Sequence, residues 1–429
     1  MGKAAFVHIL DDKGKIQSYV RKSDVGDESY ADFKKFDIGD IVEIKGYLFT
    51  TKMGEKTIHA TSIRLLTKSL IPLPEKWHGL SDIESRYRYR YVDLIANPEV
   101  RNQFKTRAKI ISYIRKFLDK KDYTEVETPV LNYVPGGASA RPFGTHYNAL
   151  DCDMFLRIAL ELPLKKLIVG GLDRVYEIGR VFRNEGVSKK HNPEFTMIEF
   201  YQAYADYKDL MELTEELLSA LAKEITGDVK FKFNDKELDF SAPFKKISML
   251  DSLSEIGGLD KNLDFNSLDV LVGIAKENKI ELKDPSDWGY TLQDLFEELV
   301  EHKLWEPVFI TEHPFSTSPL ARKNDENPNV TDRFELIIAG MEVANAFSEL
   351  NDPIDQRERF ESQAKRRAEG DEEAPEVEED FLRALEYGMP PTAGEGIGID
   401  RLVMLLTSAD TIRDVLLFPQ LKPLNQDKE

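Results

Sequence analysis

The sequence predicts an α+β protein: a small, mainly β N-terminal domain, followed by a larger domain in which an antiparallel sheet carries helices gathered apart from it. Three observations lead to this prediction: two N-terminal hairpin patterns, several later strand segments with charged residues at alternate positions, and intervening segments with apolar residues at helical spacing. With 429 residues, 41% of them hydrophobic, the chain has room for two or three domains with full cores.

Composition limits the function classes. No apolar run approaches the length of a membrane span, the N-terminus lacks a signal-peptide hydrophobic region, and the single cysteine, Cys152, excludes an intramolecular disulfide. We therefore expect a protein of the reducing cytoplasm with no membrane partner. A net charge of −19 argues against a general nucleic-acid binder. Acidic residues are concentrated at 369–380, however, so a local basic patch is compatible with this charge.

Residues 1–68 alternate as two hairpins separated by a short helix, and this pattern fits a small barrel of the OB type. An OB barrel has five strands, whereas about four are counted here. The sequence therefore predicts a partial OB fold in a chain shortened at its N-terminus.

Residues 69–96 are predicted to be a linker that contains a basic and aromatic run, Arg86–Tyr91. Such a run suits RNA stacking, or a helix packed between domains through its tyrosines, and we favour the second interpretation. The main domain, 97–429, opens with a helix that has Pro98 in its first turn. Its predicted apolar face, expected in the core or at a subunit interface, consists of Phe104, Ala108, Ile111, Ile114 and Leu118. A strand over 122–131 and a mainly helical insertion over about 207–305 are also predicted.

The hairpin over 174–204 is the most informative segment. Alternation places Glu177, Gly179, Val181 and Arg183 on one face of its first strand, and Phe195, Met197, Glu199 and Tyr201 on one face of its second. An amphipathic hairpin with a solvated face is the ordinary alternative. The apolar Phe195 and Met197 interrupt the polar face, which favours a half-dry pocket, where buried charges need a charged partner.

Other strand segments add to this pocket. Glu161 is predicted on one strand, on the same side as Arg157 and Ala159, and Val343, Asn345, Phe347 and Glu349 share a face of another. Carboxylates together with arginines suit a ligand that carries both an ammonium and a carboxylate. Two acids, Glu335 and Glu342, offer oxygen ligands for Mg²⁺. Three basic residues suit phosphates: Arg183, His191 and Arg401. The combination indicates an amino acid plus a nucleotide.

Three segments, KKDYTEVETPVL, FRNEGVSKKHNPEFTMIEF and GEGIGIDRLVML, resemble in order the motifs of class II aminoacyl-tRNA synthetases. The segments PGGASARPF, NAFSELNDP and TIRDVLLFP resemble the lysine-specific, bacterial-type members. The resemblance covers nearly the whole chain. It implies an OB anticodon-binding domain, an antiparallel-sheet catalytic domain, a homodimer in the cytoplasm, and the Mg²⁺-dependent reaction of L-lysine with ATP followed by lysyl transfer to tRNA(Lys).

The resemblance also implies residue roles. Arg183 and Arg401 would be catalytic. The lysine-binding positions would be Gly137, Glu161, Arg183, Glu199, Tyr201, Asn345, Phe347 and Glu349. The ATP-binding positions would be Arg183, Glu185, His191, Phe195, Glu335 and Arg401. The metal ligands would be Glu335 and Glu342, and the anticodon contacts Phe6 and Gln17. Two positions depart from the family pattern: Lys190 stands where arginine is frequent, and Glu395 stands where an apolar residue is common.

Two other functions fit parts of the sequence. A paralogue that attaches lysine to a protein side chain would share the pocket, but such paralogues generally lack the N-terminal barrel. A regulatory module without activity would not need the intact Arg183, Arg401, Glu335 and Glu342. Within the family, an acid at Glu349 would repel aspartate, which favours lysine as the substrate.

Overall fold

The computed structural model describes residues 2–73, 82–368 and 376–424. The chain divides into two compact units, residues 1–98 and 99–429. Within the described residues, no helix is both long and apolar enough to cross a membrane. The finer limits predicted from the sequence, with a linker at 69–96 and an insertion at about 207–305, stay predictions.

The first unit contains the predicted hairpins and helix. Its elements are β1 (Ala4–Leu10), β2 (Lys15–Arg21), α1 (Lys22–Val25), α2 (Asp27–Phe33), β3 (Ile41–Thr50), β4 (Lys56–Thr67), α3 (Ile83–Arg88) and α4 (Arg90–Ala96). The strands form one sheet in the order β1-β2-β4-β3, in which β2 and β4 are parallel and the other pairs antiparallel. A small core of Val20, Tyr30, Phe33, Ala60 and Ile63 lies on this sheet.

The basic and aromatic run forms α3 and α4. Of its three tyrosines, Tyr87 is buried, whereas Tyr89 and Tyr91 are 42% and 58% exposed. The buried carboxylate of Asp93 accepts hydrogen bonds from Arg86 at 3.1 Å and from Arg90 at 2.7 Å. Tyr87 is therefore the buried tyrosine of this run, the buried Asp93 holds Arg86 and Arg90, and packing of the run between domains stays a prediction.

The second unit begins with α5 (Pro98–Asp119), β5 (Thr124–Glu125), β6 (Leu131–Asn132), β7 (Gly144–Tyr147), β8 (Cys152–Leu156), α6 (Glu161–Val169), β9 (Arg174–Phe182), β10 (Glu194–Ala203) and α7 (Tyr207–Thr226). It continues with β11 (Lys230–Phe233), β12 (Lys236–Asp239), β13 (Lys245–Ser248), α8 (Met249–Glu255), α9 (Leu268–Asn278), α10 (Trp288–Leu299), a 3₁₀ turn (Glu301–Lys303) and β14 (Val308–Thr311). It ends with β15 (Arg333–Ile338), β16 (Met341–Ser348), α11 (Pro353–Ala368), α12 (Glu379–Glu386), β17 (Thr392–Gly398), α13 (Ile399–Thr407) and α14 (Ile412–Val415).

An eight-stranded sheet in the order β13-β14-β15-β16-β17-β10-β9-β5 organises this unit. Only the two edge pairs, β13 with β14 and β5 with β9, are parallel. One face packs against α5, α7 and α13. The other face packs against α6, α11 and α12 towards one end, and against α8, α9 and α10 towards the other. The predicted α+β class with an antiparallel-rich sheet is confirmed.

Two local predictions were wrong. The strand over 122–131 is limited to the short β5 and β6, because Pro129 has no N–H to donate and the Thr128 N–H donates to the Glu177 carboxylate instead. Glu161 lies in the first turn of α6, since β8 already ends at Leu156. The segment 207–305 contains four helices together with three short strands, one of which extends the main sheet. The segment 333–348 forms a hairpin, with positive φ at Ala339 and Gly340 in the turn.

The predicted apolar face of α5 is confirmed in part. Ile114 and Leu118 are buried and Ile111 packs against the core, whereas Ala108 is exposed and Val100, Ile110 and Phe117 are buried instead. The neighbouring Arg107 turns inward, where it pairs with Asp400 and donates to Thr196 at 3.1 Å. Arg107 therefore occupies part of the inward-facing surface of α5.

Glu395 lies in the core. It is 1% exposed on β17, between Ala393 and Ile397, which also face α7. Both of its oxygens lie 2.7 Å from the Thr214 hydroxyl, which itself donates to the Leu210 carbonyl at 2.7 Å. A single hydroxyl hydrogen cannot serve both acceptors, so a protonated carboxyl that donates to Thr214 satisfies this geometry. Burial raises the pKa of Glu395 to about 8.

We predict that Glu395→Gln stabilises the protein at neutral and alkaline pH. The carboxyl ionises in the unfolded chain near pH 4.5 and in the folded chain near pH 8. Stability is therefore lost as pH rises through this window, by up to roughly 1.4 kcal/mol per pH unit. Glutamine keeps the shape without this penalty.

Denaturant unfolding at pH 5 and pH 8 checks the prediction. The variant should match the wild type at pH 5 and exceed it by a few kcal/mol at pH 8. An equal loss of stability at both pH values would contradict the assignment of a neutral carboxyl.

Candidate active site

A cavity of about 440 Å³ lies over the centre of the sheet. Its walls come from β10, β16 and β17, from the start of α6, from the loop after β9 and from the first turn of α13. The predicted site residues that line it are Gly137, Glu161, Arg183, Glu185, His191, Phe195, Glu199, Tyr201, Glu342, Asn345, Phe347 and Arg401. Just behind the wall, Glu335 pairs with Arg333, and Glu349 lies beside Gly394.

The hairpin β9–β10 supplies the floor. Phe195, Met197, Glu199 and Tyr201 all line the cavity, as strand alternation predicts. On β9 the corresponding face contributes to a structural ion pair. Glu177 is buried and pairs with Arg157 at 2.6 Å, so this part of the polar face is a structural ion pair.

One end of the cavity is acidic. Glu161, Glu199 and Glu349 are 7%, 4% and 2% exposed. The Glu199 carboxylate accepts hydrogen bonds from the backbone N–H of Leu160 at 2.9 Å and from the Tyr201 hydroxyl at 3.0 Å. This end of the cavity is therefore suited to bind cations.

Burial shifts the ionisation of these acids. It raises the pKa of Glu199 to about 7, and the nearby Glu161 carboxylate adds to the shift. The pKa values of Glu161 and Glu349 are also raised by burial, an effect that the Lys165 ammonium opposes. A bound cation would favour the ionised form of all three.

Close approach of the backbone shapes this end. Gly137 has φ of +85°, and a Cβ there would lie 3.2 Å from the Glu161 Cβ. A Cβ on Gly394 of β17 would overlap with the Tyr201 ring and with Glu349 Oε1. Side chains at these two positions would fill the acidic end, so both require glycine.

The other end of the cavity is basic and aromatic. The Arg183 guanidinium lies 5.2 Å from the centre of the Phe195 ring. The backbone N–H of Arg183 donates to the Pro193 carbonyl at 2.8 Å, and this hydrogen bond closes the loop between the two residues. Arg401 donates to the Glu342 carbonyl at 2.5 Å and lies 3.2 Å from His191 Nε2. Burial, and then the Arg401 charge, lowers the pKa of His191. These groups suit phosphates and a planar base.

Lys190 and Glu185 belong to the loop after β9. Lys190 donates to the Gly340 carbonyl at 2.5 Å, so its ammonium joins this loop to the β15–β16 turn. The Glu185 side chain is exposed, and Glu185 lines the cavity. The loop therefore forms a polar wall of the basic end.

Glu335 and Glu342 share a face of the sheet because of a β-bulge. On one uninterrupted strand, two residues seven positions apart would face opposite ways. The β15–β16 pairing shifts between Leu336 and Ile337, so that Ile337 lies opposite Glu342. Because Ile337 and Glu335 are two positions apart on β15, Glu342 then lies on the same face as Glu335. Burial raises the pKa of Glu342, and the Glu335 charge adds to this shift.

These two carboxylates suit Mg²⁺, which commonly takes one or two protein carboxylates and completes its shell with phosphate oxygens and water. No group of three or more metal-ligating side chains occurs among the described residues, so this chain would supply only part of the shell. Glu335 Oε1 pairs with Arg333 at 2.5 Å.

Sequence reasoning missed two residues at the cavity. Lys165, which is fully buried, pairs with Glu161 at 2.5 Å and with Glu349. Arg333 lines the cavity and donates to Asn345 Oδ1 at 3.0 Å and to Ser318 Oγ at 2.8 Å. The available signals were the i,i+4 spacing of Lys165 from Glu161 and the shared strand face of Arg333 and Glu335.

The first unit carries an aromatic surface on its sheet. Phe6 is 55% exposed, and its ring centre lies 4.9 Å from that of Tyr19. Tyr47 stacks on His59 at 4.9 Å. On the same sheet, Gln17 donates to Glu55 at 3.0 Å. Exposed rings of this kind suit stacking with unpaired bases.

We predict that Gly394→Ala destabilises the fold by about 1–3 kcal/mol, because the added methyl overlaps with Tyr201 and Glu349. Denaturant unfolding measures this change. Gly396→Ala, whose methyl would lie 3.0 Å from the flexible end of Met197, should cost less. Gly273→Ala on α9, with nothing within 4 Å, should be neutral or stabilising. Equal losses in all three variants would contradict the close-approach explanation.

Comparison with known proteins assigns both units. Residues 82–422 match the family model of class II tRNA synthetases (D, K and N), and residues 1–66 match that of the OB-fold nucleic acid binding domain. A lysine–tRNA ligase of Bacillus subtilis is 56% identical over 98% of this chain and 84% of its own length. Similar ligases of Pelotomaculum thermopropionicum and Halalkalibacterium halodurans are 57% and 55% identical over 99% and 98% of this chain, and over 84% of their own lengths.

The matched segments contain the hairpin β9–β10, the glycine-rich strand β17 and the start of α13, which together bound the cavity. The chain therefore belongs to the class II tRNA synthetases of the D, K and N group and carries an N-terminal OB-fold nucleic-acid-binding domain.

Proposed function

We propose that this chain is a lysine–tRNA ligase that activates L-lysine with ATP and transfers the lysyl group to the 3′ end of tRNA(Lys). The observation that carries this proposal is a cavity with a basic end, at Arg183 and Arg401, and an acidic end, at Glu161 and Glu199, with the buried Glu349 just behind its wall. Lysine has ammonium groups for the first end and a carboxylate for the second. The high identity to lysine–tRNA ligases supports the same substrate.

In the first step, a lysine carboxylate oxygen attacks the α-phosphorus of ATP. A P–O bond to lysine forms, the bond to the β-phosphate breaks, and pyrophosphate leaves. We assign to Arg183 the contact with both the carboxylate and the α-phosphate, where negative charge accumulates. Because no covalent enzyme intermediate is required, the residues act through position and charge.

The remaining ATP contacts follow from the basic end. His191 and Arg401, 3.2 Å apart, would bind the outer phosphates. Phe195 and Arg401 would enclose the adenine, and Glu185 would accept a hydrogen bond from its amino group. Mg²⁺ bound with ATP would neutralise phosphate charge, and Glu335 and Glu342 are the residues that would hold it.

The acidic end would select the amino acid. Gly137 and Glu161 would receive the α-ammonium, and Glu349 and Tyr201, supported by Glu199, the ε-ammonium. Asn345 and Phe347 would line the aliphatic part. Glu349 Oε1 is buried and has no hydrogen-bond partner among the described residues, so a substrate that lacks the ε-ammonium leaves this oxygen without a donor and is disfavoured.

In the second step, a ribose hydroxyl at the 3′ end of tRNA attacks the lysyl carbonyl and AMP leaves. We propose that the aromatic surface of the first unit, with Phe6 and Gln17, binds the anticodon bases by stacking and hydrogen bonding. We also propose, from the family, a cytoplasmic homodimer.

Exchange of pyrophosphate with ATP in the presence of lysine tests the activation step, and charging of tRNA(Lys) by the same preparation tests the transfer step. Exchange with aspartate or asparagine in place of lysine would overturn the substrate assignment. Lysylation of a protein without charging of tRNA would favour the protein-modifying paralogue.

We predict that Glu349→Gln raises the KM for lysine far more than the KM for ATP. Glu349 Oε1 is buried and has no hydrogen-bond partner among the described residues. Loss of one charge of a buried pair costs on the order of 3–5 kcal/mol, or at least about a hundredfold in KM. Steady-state exchange kinetics measure both constants. Glu212→Gln, at an exposed position of α7, is the matched control, and an unchanged KM for lysine in the test variant would remove Glu349 from the site.

We predict that the double variant Glu335→Ala and Glu342→Ala loses Mg²⁺-dependent activation. Exchange rates measured across a Mg²⁺ titration should stay near background, since both protein ligands are gone. Glu342→Gln alone, which keeps the shape of the side chain, should shift the titration to higher Mg²⁺. A wild-type Mg²⁺ midpoint in the double variant would exclude these residues as ligands.

A further inference from the structure

Lys165 is a fully buried cation that belongs to none of the roles described above. It lies one turn after Glu161 on α6 and is 0% exposed. Its ammonium contacts Glu161 Oε1 at 2.5 Å and also contacts Glu349 Oε2. The rings of Phe347 and Phe381 lie 5.4 and 5.7 Å from it. A buried lysine is costly unless it is paired, so two carboxylates on different elements share one cation.

The pairing leaves one oxygen of each acid for other donors. Glu349 Oε1, which faces Gly394, has no hydrogen-bond partner among the described residues. Glu161 lines the cavity and gives Lys165 a single oxygen, Oε1. Lys165 thus lies between the acids proposed to receive the two ammonium groups of the substrate, and it fixes the separation of those acids.

We propose that Lys165 is a positioning residue of the lysine subsite, whose ammonium holds Glu161 and Glu349 in place, with one oxygen of each available to the substrate. This inference rests on the proposed function. It gives the acidic end a built-in cation, which opposes the rise that burial causes in the pKa of both acids.

The charges around Lys165, Glu161 and Glu349 show why a cation is needed at this position. The ionisable groups of this end of the cavity are the carboxylates of Glu161, Glu199 and Glu349, the Tyr201 hydroxyl, and the guanidinium groups of Arg183 and Arg333. Burial and mutual repulsion raise the pKa of the acids, whereas Lys165 lowers the pKa of its two partners. The two carboxylates in turn raise the pKa of Lys165 against the effect of burial.

Without Lys165, at least one buried carboxyl would take up a proton at neutral pH. A neutral carboxyl attracts an ammonium weakly, so lysine binding would then require release of that proton. The affinity for lysine would therefore depend on pH, and it would increase as pH rises.

The test is Lys165→Met, which keeps the length of the side chain and removes the charge. The KM for lysine is measured by pyrophosphate exchange at saturating ATP from pH 6 to pH 8.5. We expect a KM at least about tenfold above the wild type at pH 7, which falls relative to the wild type as pH rises. The KM for ATP should change little. Lys166→Met, at the neighbouring position where the lysine pairs with the exposed Asp380 at 2.5 Å, is the matched control.

A constant ratio of variant to wild-type KM across this pH range would overturn the proposal, as would a lower KM, which would mean that Lys165 competes with the substrate. If Lys165→Met does not fold, the pair Lys165→Met and Glu349→Gln, which removes one charge of each sign, is tested instead. It should fold, with a KM that falls relative to that of the single variant Glu349→Gln as pH rises, because Glu161 has still lost its cation. Failure of this pair to fold would assign Lys165 a packing role and overturn the proposal.

The proposed function and this inference fail separately. Wild-type protein without lysine-dependent exchange would reject the function itself. Normal exchange by the wild type, together with a Lys165→Met variant that behaves as the wild type at every pH, would reject only the role of Lys165.

Discussion

Burial of three carboxylates at one end of a cavity is the constraint on which the rest of the site depends. A buried charge must be paired, and here the partners come from separate parts of the chain. Glu199 on β10 accepts from the backbone before α6, Glu161 opens α6, and Glu349 follows β16. The acidic end therefore exists only when α6 packs on the sheet and β10, β17 and β16 lie side by side.

The same constraint orients a ligand. An amino acid with two ammonium groups and a carboxylate has one favourable direction in a cavity that is acidic at one end and basic at the other. The basic end is held as firmly as the acidic one. Asp400 accepts from the Thr196 N–H at 2.7 Å and pairs with Arg107, which anchors the first turn of α13 beneath Arg401.

Strand alternation carried most of what could be predicted about this site from the sequence. It placed Phe195, Met197, Glu199 and Tyr201 on one face of β10, and the structure brings them to one cavity. Predictions from strand alternation were wrong where the backbone departs from the two-residue period of a regular strand. The turn at Ala339 and the bulge near Ile337 put Glu335 and Glu342 on a common face, and an earlier strand end moved Glu161 onto a helix.

The second limit on prediction from the sequence was the identity of each ion-pair partner. Sequence patterns indicate which residues are charged and which face they share, but not which opposite charge lies across the sheet. Glu177 was expected at a ligand pocket, whereas Arg157 pairs with it. Lys165 looks like an ordinary helix lysine until α6 is packed, because its second partner, Glu349, lies 184 positions later in the chain.

Buried acids near strand β17 are stabilised in two different ways on the two faces of the sheet. Three of its even-numbered positions, Gly394, Gly396 and Gly398, have no side chain, and Gly394 leaves room for Glu349 and Tyr201 at the cavity. The residue after Gly394, Glu395, faces the opposite way into an apolar core, where the Thr214 hydroxyl is its one hydrogen-bond partner among the described residues. Among the described residues no cation pairs with Glu395, so the acid is stable as the neutral form. On the cavity side the Lys165 ammonium pairs with Glu161 and Glu349 and opposes the effect of burial on their pKa values. Buried acids on the two sides of this strand are therefore stabilised differently, by a neutral carboxyl on the core side and by ion pairs with Lys165 on the cavity side.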